Sequence, residues 1–427
     1  MKHSLIIVAA LLCGSSAFAK LYEATPASDL NAMISALAPG DTLMLSPGTY
    51  RPVEAHSYHR QGPYAVVYDV KASGEQGAPV CILGKNAPDG SRPLFDLSQV
   101  NPWGYRITGF LIEAEWVKLA NFDITGIQVN RTDHSQSENI RIADGSHCTV
   151  DNISIHDGMG IGVYINKQSA HNLVINCDAF NQYDPISDAG KGGNNDGFGC
   201  HVKADCPGNL FIGCRAWNNT DDGFDLINCY SPVTFEYSIA YHNGYDAQGV
   251  SRADGNGFKA GGYGMKARNI ELDTVPRHTV SHSLAIANKA NGHYANHHLG
   301  GVNFRNNTAI DNGNFNYSFV NRRGPGADDN VDVNGYGHQI RSNLSASRRG
   351  RHFTWLPATD GILQVARFTP IGDVEPLLAP RLANGNFDAP TLRFISSLTP
   401  RNRAGADFRS YLQALLRARH TTGADAQ

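Results

Sequence analysis

A short phrase recurs along the middle of this 427-residue chain and constrains its fold more than any other feature. Each copy has Asp or Asn first, then Gly and Phe, then one variable residue. Three clear copies and a fainter one upstream lie at 196–199 (DGFG), 222–225 (DGFD), 256–259 (NGFK) and 160–163 (GIGV). The central glycines, Gly160, Gly197, Gly223 and Gly257, are 37, 26 and 34 residues apart. Repeats of this length predict a stack of similar structural units.

A second series of residues recurs along the chain in step with the phrase. Each member pairs an alanine with an amide three residues later: Ala179/Gln182, Ala216/Asn219, Ala240/Asn243, Ala285/Asn288 and Ala309/Asn312. Small residues fit inside a narrow coil, and Asn tolerates the left-handed backbone of a tight turn while its side chain can bond the next coil. Short apolar strands without helical periodicity lie between these positions. The two series predict an all-β fold, a right-handed parallel β-helix.

The first residues have the pattern of a secretory signal peptide. Lys2 and His3 form a short basic start, residues 5–12 are apolar, and residues 17–19 (AFA) form a small-residue cleavage site. The apolar run is too short to cross a bilayer, and no later stretch approaches the roughly 18 apolar residues that a crossing needs. We therefore expect a signal peptide over residues 1–19 and a secreted protein without membrane contact.

Charge narrows the range of partners. Cleavage after residue 19 would leave 408 residues (427 − 19) with 35 basic and 39 acidic side chains, a net charge of about −4. A mildly acidic protein does not attract polyanions by its overall field, so nucleic acid is not expected as a partner. An anionic substrate would need local basic side chains or a bound metal. A monomer is the default expectation for this shape.

The mature chain is expected to form one large unit and a short extension. Residues 20–395 would be the β-helix catalytic domain, opening with a helical lid at about 28–38 that covers the edge of the first coil. Residues 396–427 would form a C-terminal extension with a helix at about 407–417 and a disordered tail from 421. One face of that helix is expected to pack on the stack; it contains Phe408, Leu412, Leu415 and Leu416.

Seven cysteines would remain after signal cleavage (8 − 1). An odd number leaves at least one thiol unpaired in a secreted protein. Buried thiols in the core are the favoured interpretation, and Cys200–Cys206 is the most plausible local disulfide.

Aligning the phrases on their central glycines predicts which side chains face outward, because side chains alternate along a strand. The predicted inward pairs are Ile161/Val163, Phe198/Cys200, Phe224/Leu226 and Phe258/Ala260. The residues between them, Gly162, Gly199, Asp225 and Lys259, would point outward. Lys259 would then lie one strand, about 4.8 Å, from Asp225. Strict alternation would turn Asp222 inward, so we expect a turn or bulge near Asp222 and another near Asp196.

Four carboxylates are gathered on two neighbouring coils: Asp196, Asp221, Asp222 and Asp225. Like charges this close raise each other's pKa unless a cation intervenes. An all-oxygen set suits a hard cation, Ca²⁺ above all, with Mg²⁺ or Mn²⁺ as alternatives. One Asp-Gly pair would be ordinary turn chemistry, but four stacked acids predict a metal site.

Lys259 is the basic member of the same frame. A solvated surface Lys paired with Asp225 would add little stability. Beside a divalent cation, however, the ammonium form is disfavoured and the pKa falls, so the amine can act as a base. A metal that binds a uronate carboxylate acidifies the adjacent carbon, and an amine that removes its proton completes a β-elimination. We therefore assign Lys259 as the candidate catalytic base.

These motifs, together with the segment DLNAMISALAPGDTLMLSPGTY at 29–50, resemble the family 9 polysaccharide lyases, the pectate lyases of the PelL type. The resemblance covers nearly all of the mature chain. It implies a pectin lyase-like β-helix that cleaves polygalacturonate by Ca²⁺-dependent β-elimination. By position it implies that Asp196, Asp221, Asp222 and Asp225 are the calcium ligands and that Lys259 is the base.

Three other functions fit parts of the pattern. Asp221 and Asp222 superficially suit an inverting hydrolase similar to polygalacturonases, which uses paired carboxylates, but the Gly-His-Gly and Arg-x-Lys elements of that family are not apparent. A non-enzymatic adhesin could use calcium only to rigidify its coils, although Lys259 in frame with the acids argues against it. A lyase acting on alginate or on a glycosaminoglycan would use the same chemistry on another uronate.

Basic residues on the following coils are secondary candidates. His293, His297 and His298 could line a groove, but a structural role is favoured for them. Substrate carboxylates could be bound by Arg252, Lys266, Arg268 or Arg305, with no single one preferred.

Overall fold

The structure is a computed structural model, and it describes residues 19–101, 104–264, 271, 274–357, 363–399 and 404–422. The predicted signal peptide, apart from Ala19, and residues 423–427 of the predicted disordered tail lie outside these ranges. Residues 421 and 422, which were expected to belong to that tail, are helical. Within the described ranges, no helix has the length and apolarity needed to cross a membrane.

Three sheets of 11 strands each form the body of the protein. Strands are numbered in chain order. Sheet A contains β1 (Leu21–Ala24), β2 (Thr42–Leu45), β6 (Val80–Gly84), β9 (Val117–Ala120), β12 (Thr149–Asp151), β15 (Leu173–Ile175), β18 (Asn209–Ile212), β21 (Val233–Glu236), β24 (His278–Ser281), β27 (Val302–Arg305) and β32 (Gln339–Arg341).

Sheet B contains β3 (Thr49–Tyr50), β7 (Leu94–Asp96), β10 (Asp123–Thr125), β13 (Ser154–His156), β16 (Asp178–Phe180), β19 (Arg215–Trp217), β22 (Ile239–Tyr241), β25 (Leu284–Ile286), β28 (Thr308–Ile310), β33 (Asn343–Ala346) and β35 (Leu363–Ala366). Sheet C contains β4 (Ser57–His59), β5 (Tyr64–Val70), β8 (Arg106–Ile112), β11 (Ser137–Ala143), β14 (Gly160–Lys167), β17 (Phe198–Val202), β20 (Phe224–Asp225), β23 (Phe258–Lys259), β26 (His293–Tyr294), β29 (Tyr317–Ser318) and β34 (Phe353–Thr354). A separate hairpin pairs β30 (Asn321–Arg322) with β31 (Asp332–Val333).

The chain passes through sheets A, B and C in turn, so strands adjacent in a sheet come from successive coils. The pairs within the three sheets are parallel, apart from β4 with β5 at the edge of sheet C. Such an arrangement is a parallel β-helix, and the predicted all-β fold is confirmed.

The predicted amide series forms a hydrogen-bonded ladder inside the helix. Asn219 Nδ2 donates to Asn243 Oδ1 (3.0 Å), and the same contact repeats from Asn243 to Asn288 (2.9 Å) and from Asn288 to Asn312 (2.9 Å). Each of these asparagines also donates to the backbone oxygen of an alanine on the preceding coil, as Asn219 does to Ala179 (3.0 Å). Gln182, the first predicted member, instead donates to the Phe180 oxygen (3.3 Å). The ladder satisfies buried polar groups from coil to coil and thereby fixes the stacking.

One register prediction is wrong. Val163, not Ile161, pairs with Phe198, and Tyr164 pairs with Gly199. The fainter upstream copy is therefore displaced by two residues from the assumed alignment. The displacement preserves side-chain parity, so the sequence pattern alone could not reveal it.

The proposed disulfide is also absent. All seven described cysteines are free and buried. Cys200 lies fully inside the coil, whereas the Cys206 thiol lies 2.8 Å from Gln168 Oε1. The favoured interpretation, buried thiols in the core, is confirmed for these residues.

Aromatic rings stack along the interior of sheet C. Ring centroids are 5.0 Å apart for Phe198 and Phe224, and 4.6 Å apart for Phe224 and Phe258. His293 continues this column, 5.1 Å from Phe258 and 4.9 Å from Tyr317. Its two ring nitrogens are buried and make no hydrogen bond with any described residue. Burial lowers the pKa of His293 to about 3, so the structural role favoured for it from the sequence fits its position.

Replacing His293 with Phe should stabilise the protein by about 1–3 kcal/mol, because it removes two buried, unsatisfied nitrogens from an aromatic column. Folded His293 is neutral down to about pH 3, whereas unfolded His takes up a proton near pH 6.5. Wild-type stability should therefore fall as the pH drops below about 6.5, and the gain from His293→Phe should grow over that range. Urea unfolding at pH 7.5 and pH 5 measures both effects. His59→Phe, a surface His stacked on Tyr64, is the control and should change little.

The described part of the chain has four α-helices, which lie at the ends of the stack or against its outside: α1 (Leu30–Ser35), α2 (Glu375–Leu378), α3 (Ala389–Ser397) and α4 (Tyr411–Thr422). The lid helix is confirmed as α1, which Asp29 caps by accepting from Ala32 N (3.0 Å). Helix α3 was not predicted from the sequence. Asp388 caps it by accepting from Thr391 N (2.7 Å). The expected unit boundary at 395/396 lies within α3, and the division into units stays a prediction.

The buried face of the C-terminal helix differs from the prediction. Phe408 and Leu415 are buried, but Leu412 and Leu416 are 48% and 55% exposed. Phe408 belongs to a separate 3₁₀ turn before α4, so the helical phase begins later than assumed. The observed buried face of α4 contains Tyr411, Ala414, Leu415 and Ala418.

A buried ionic triad joins the C-terminal segment to sheet B. Asp178 on β16 accepts from Arg215 Nη2 (2.6 Å) and Arg381 Nη2 (2.7 Å), and all three side chains are almost completely buried. Arg381 also donates to the backbone oxygens of Gly213 (2.7 Å) and Gly385 (3.0 Å). The two guanidinium groups hold the pKa of Asp178 well below its usual range despite burial.

Candidate active site

Strands β17, β20 and β23 place the three clear phrases side by side in sheet C. Phe198, Phe224 and Phe258 pair in register and point into the core. Asp225 pairs with Lys259, so the predicted one-strand separation between these two side chains is confirmed.

The acids at the start of each phrase lie just before the strands, where the chain turns. Asp196 Oδ1 accepts from Asp222 N (3.0 Å), and Asp222 Oδ1 accepts from Asn256 N (2.6 Å) and Asn256 Nδ2 (2.9 Å). Asn256 Oδ1 in turn accepts from Asn291 N (3.2 Å). These residues form a second ladder, the corner ladder: Asp196, Asp222, Asn256 and Asn291. The expected break in alternation is thus present, because the acids precede their strands.

The glycine after each acid is required by close backbone contact. A Cβ on Gly223 would lie 2.7 Å from the Gly257 oxygen of the next coil, and a Cβ on Gly197 would lie 2.7 Å from the Gly223 oxygen. Only glycine lets successive coils approach this closely at the corner.

Lys259 projects into the acids. Its Nζ lies 3.0 Å from Asp222 Oδ2 and 3.4 Å from Asp225 Oδ2. A third carboxylate, Asp254 Oδ2, is 3.9 Å away. The Lys259 side chain is 11% exposed, and those of Asp222 and Asp225 are less exposed still. A nearly buried ammonium is therefore in contact with two nearly buried carboxylates.

The predicted metal residues fall into two overlapping groups. Ligand oxygens of Asp196, Asp222 and Asp225 lie within 4.8 Å of one another, and so do those of Asp221, Asp222 and Asp254. Asp221 accepts from Asn194 N (2.7 Å) and Asp254 N (3.3 Å). We call these five acids the carboxylate cluster.

Asp254 was not predicted from the sequence. It lies two residues before the third phrase, in a loop between β22 and β23 that breaks the repeat spacing. An acid shortly before a phrase was the available signal, since Asp221 directly precedes the second phrase and Asp254 precedes the third with one glycine between.

Burial and mutual repulsion dominate the electrostatics of the cluster. Burial and the neighbouring acids raise the pKa of Asp196 well above its usual value. Burial and Asp222 raise the pKa of Asp221 to about 8, and burial raises that of Asp222 to about 6 although Lys259 opposes it. The carboxylates in turn raise the pKa of Lys259 against the effect of burial. The ammonium is therefore the positive charge that this arrangement of acids requires.

The cluster fits a hard cation. Its donors are all carboxylate oxygens, which suits Ca²⁺. Asp222 Oδ2 is fully buried and accepts no hydrogen bond from any described residue, although Lys259 lies within ion-pair distance. Such an oxygen is available to a metal.

A cleft of about 710 Å³ opens beside the cluster. Its charged or polar lining includes His134, Asp188, Lys191, Asn194, Asp221, Arg252 and Asp254. Residues 188–194 and 251–254 form most of its walls. The guanidinium of Arg252 stacks on the Tyr183 ring, 4.4 Å from the centroid. Arg252 also binds Asp246 through Nε (2.9 Å) and Nη2 (2.7 Å). Its charge is thus largely compensated within its own loop.

The other basic residues proposed to line a groove or bind substrate do not gather at the carboxylate cluster in the described part of the chain. Lys266 and Arg268 lie outside the described residues, and Arg305 is on β27 in sheet A, away from the cluster. His298 is buried, with Nε2 bonded to the Pro276 oxygen (2.7 Å), as a structural residue would be. His297 Nε2 instead lies 3.0 Å from Asp332 Oδ1, on the outer face of the helix.

Comparison with known proteins places the chain in a family. Residues 15–338 match the family model described as "Pel9A-like, right handed beta helix region". The chain is 34% identical over 320 residues to pectate lyase L of Dickeya dadantii (strain 3937), across 74% of this chain and 66% of the relative. It therefore spans just under two thirds of that relative's length.

Solved structures agree on the architecture. A protein titled rhamnogalacturonan lyase superposes with a TM-score of 0.79 at 35% identity, covering 93% of this chain and 98% of the other. Pectate lyase Pel9A superposes with a TM-score of 0.64 at 27% identity, covering 91% and 88%. The resemblance inferred from the sequence and the right-handed fold are thereby confirmed: the chain belongs to the Pel9A-like right-handed β-helix family.

Proposed function

We propose that this chain is a polysaccharide lyase that cleaves α-1,4-polygalacturonate by Ca²⁺-dependent β-elimination. The observation that carries the proposal is the contact of Lys259 Nζ with Asp222 (3.0 Å) and Asp225 (3.4 Å) inside an all-oxygen cluster. The names of the Dickeya relative and of Pel9A support this substrate.

Asp196, Asp221, Asp222 and Asp225 are the residues that would hold Ca²⁺. Bound there, Ca²⁺ would withdraw charge from a uronate carboxylate and so acidify the adjacent C5–H. The corner ladder keeps Asp196 and Asp222 in place through hydrogen bonds from backbone N–H groups, so neither side chain must reorganise to bind.

Lys259 is proposed as the base that takes the C5 proton. It must be neutral to do so, and its contacts with Asp222 and Asp225 hold its proton in the absence of other partners. When those carboxylates are engaged by a stronger cation, the ammonium loses this stabilisation and its pKa falls. The base is thus available only in the loaded site.

We also propose export through residues 1–19 and action as a monomer, because a plant cell-wall polymer is an extracellular substrate. N-terminal sequencing of protein recovered from the culture medium, expected to begin at Lys20, tests export. Light scattering of the purified protein tests the monomer.

A second substrate, rhamnogalacturonan, should be tested equally. The protein titled rhamnogalacturonan lyase superposes on this chain over 98% of its own length. A polymer with fewer carboxylates is also compatible with the cleft, because most of its described basic side chains have acidic partners. Arg252 is paired with Asp246 and His134 with Asp188 (2.7 Å), whereas Lys191 makes no ion pair with any described residue. A single uncommitted cation among the described residues of the cleft suits a chain in which uronate alternates with a neutral sugar.

Elimination activity should disappear with a chelator and return with added calcium. Polygalacturonate and rhamnogalacturonan are incubated separately with the protein, and ultraviolet absorbance of the unsaturated uronate is followed alongside reducing ends. New reducing ends without that absorbance would indicate hydrolysis and contradict the lyase proposal. Elimination that persists in chelator would contradict the role of calcium.

A further inference from the structure

Tyr294 lies directly beside the candidate base. Strands β23 and β26 pair Lys259 with Tyr294 and Phe258 with His293, and the second pair stacks inside the core. Lys259 and Tyr294 therefore share the outer face of sheet C on adjacent strands, about 4.8 Å apart at the backbone.

A hydrogen-bonded chain leads away from Tyr294. Tyr294 Oη lies 3.4 Å from His297 Nδ1, and His297 Nε2 lies 3.0 Å from Asp332 Oδ1. A carboxylate only accepts, so His297 carries its hydrogen on Nε2 and its Nδ1 accepts from the Tyr294 hydroxyl. Burial lowers the pKa of His297, which favours this neutral ring. The phenol is thus oriented by two residues outside the carboxylate cluster.

Lys259 and Tyr294 make their contacts on different sides along sheet C, as the strand order shows. Lys259 Nζ turns back to Asp222 and Asp225 on the preceding coil. Tyr294 is tied to His297 and through it to Asp332 of the β30–β31 hairpin, which comes later in the chain. The order along the sheet is therefore acids, amine and phenol.

That order matches the order of atoms in a uronate that undergoes β-elimination. The carboxylate carbon belongs with the acids, C5 with the amine, and C4, which bears the leaving oxygen, comes next. We propose that Tyr294 is a catalytic residue that protonates the departing glycosidic oxygen, and that His297 and Asp332 are its positioning residues. The inference rests on the proposed lyase function.

The elimination uses Lys259 as the base, Tyr294 as the acid and water to restore both side chains. Lys259 takes the C5 proton, the C5–H electron pair forms the C4–C5 double bond, and the C4–O bond breaks. The Tyr294 hydroxyl turns from His297 Nδ1 to the leaving oxygen, which receives its proton, and the hydrogen bond to His297 is given up in this step. The tyrosinate then regains a proton from water and Lys259 releases one, so no net proton is consumed. Burial raises the pKa of Tyr294 to about 12, so the phenol keeps its proton at neutral pH until the oxygen departs.

The test compares leaving groups in wild type and Tyr294→Phe. On the natural polymer, the variant should lose about 100-fold or more in kcat with little change in KM, as expected for loss of a general acid. The second substrate is a galacturonate oligomer with fluoride at C4 of its non-reducing end. Fluoride departs without a proton donor, so its release by the variant should stay within about five-fold of wild type.

Two further variants provide a control and a test of the positioning residues. Tyr336→Phe removes a tyrosine hydroxyl that binds the Arg322 oxygen (2.8 Å) in the same region, and it should leave kcat unchanged. Asp332→Asn should lower kcat on the polymer about 10-fold and spare fluoride release. Equal losses by Tyr294→Phe on both substrates, or near-normal activity on the polymer, would overturn the inference. A wild-type protein that releases no unsaturated product would instead defeat the proposed function itself.

Discussion

Lys259→Ala should lower the rate of elimination by about 10³-fold or more, since a positioned base contributes this order of magnitude. The fold should persist, because Lys259 lies on the outer face of sheet C and the core column beneath it is untouched. Product absorbance gives the rate, and circular dichroism with a melting temperature gives the fold.

A measurement of calcium binding by Lys259→Ala distinguishes a catalytic role of Lys259 from a role as counter-ion to the acids. Removing the ammonium leaves Asp222 and Asp225 without their closest positive partner. The variant should therefore bind calcium at least as tightly as wild type by calorimetry, and calcium should raise its melting temperature. Lys167→Ala, which removes an ion pair with Asp144 (2.9 Å) on the same sheet, is the control and should keep full activity. Near-normal turnover by Lys259→Ala would remove Lys259 from the mechanism.

Asp178→Ala should destabilise the protein by about 3–5 kcal/mol, because it leaves two buried guanidinium groups, Arg215 and Arg381, without their shared anion. Urea unfolding at neutral pH measures the loss. The depressed pKa of Asp178 gives the sign of the pH dependence. The carboxylate stabilises the fold above its unfolded pKa of about 4, and this contribution is lost as the pH falls below that value.

The matched comparison is an exposed pair. Arg51, 64% exposed, binds Asp96 at 3.1 Å, and Arg51→Ala should cost at most about 1 kcal/mol. Arg381→Ala should fall between the two, since Asp178 keeps Arg215. A loss from Asp178→Ala no larger than that from Arg51→Ala would show that the C-terminal segment is not anchored by the triad.

The positions of residues that follow the coil period could be predicted from the sequence. Lys259 and Asp225 lie in short strands with a fixed neighbour one coil away, so counting sufficed to bring them together. Asp254 could not be placed in this way, because it lies in an inserted loop whose path no period describes.

The strand register, the start of α4 and the contact between His297 and Asp332 depend on three-dimensional packing and not on the spacing of the sequence repeats. The pairing of Val163 with Phe198 differs from the assumed register by two residues, which leaves every side chain on its expected face. The phase of α4 depends on where the preceding 3₁₀ turn ends, at Ser410. His297 meets Asp332 only because the β30–β31 hairpin folds back, a contact between segments that share no repeat.

The corner ladder fixes the distance between the acids of the candidate metal site. Its acids replace amides that elsewhere link one coil to the next, and Asn differs from Asp only by NH₂ in place of O. Their separation is therefore set by strand spacing, about 4.8 Å, and not by side-chain rotation. A site spaced in this way cannot contract around a smaller ion without compressing the coils, so it should discriminate among divalent cations by radius. The same scaffold carries amides at Asn256 and Asn291. Replacing Asn256 with Asp would extend the acidic row by one coil, and replacing Asn291 as well would extend it by two.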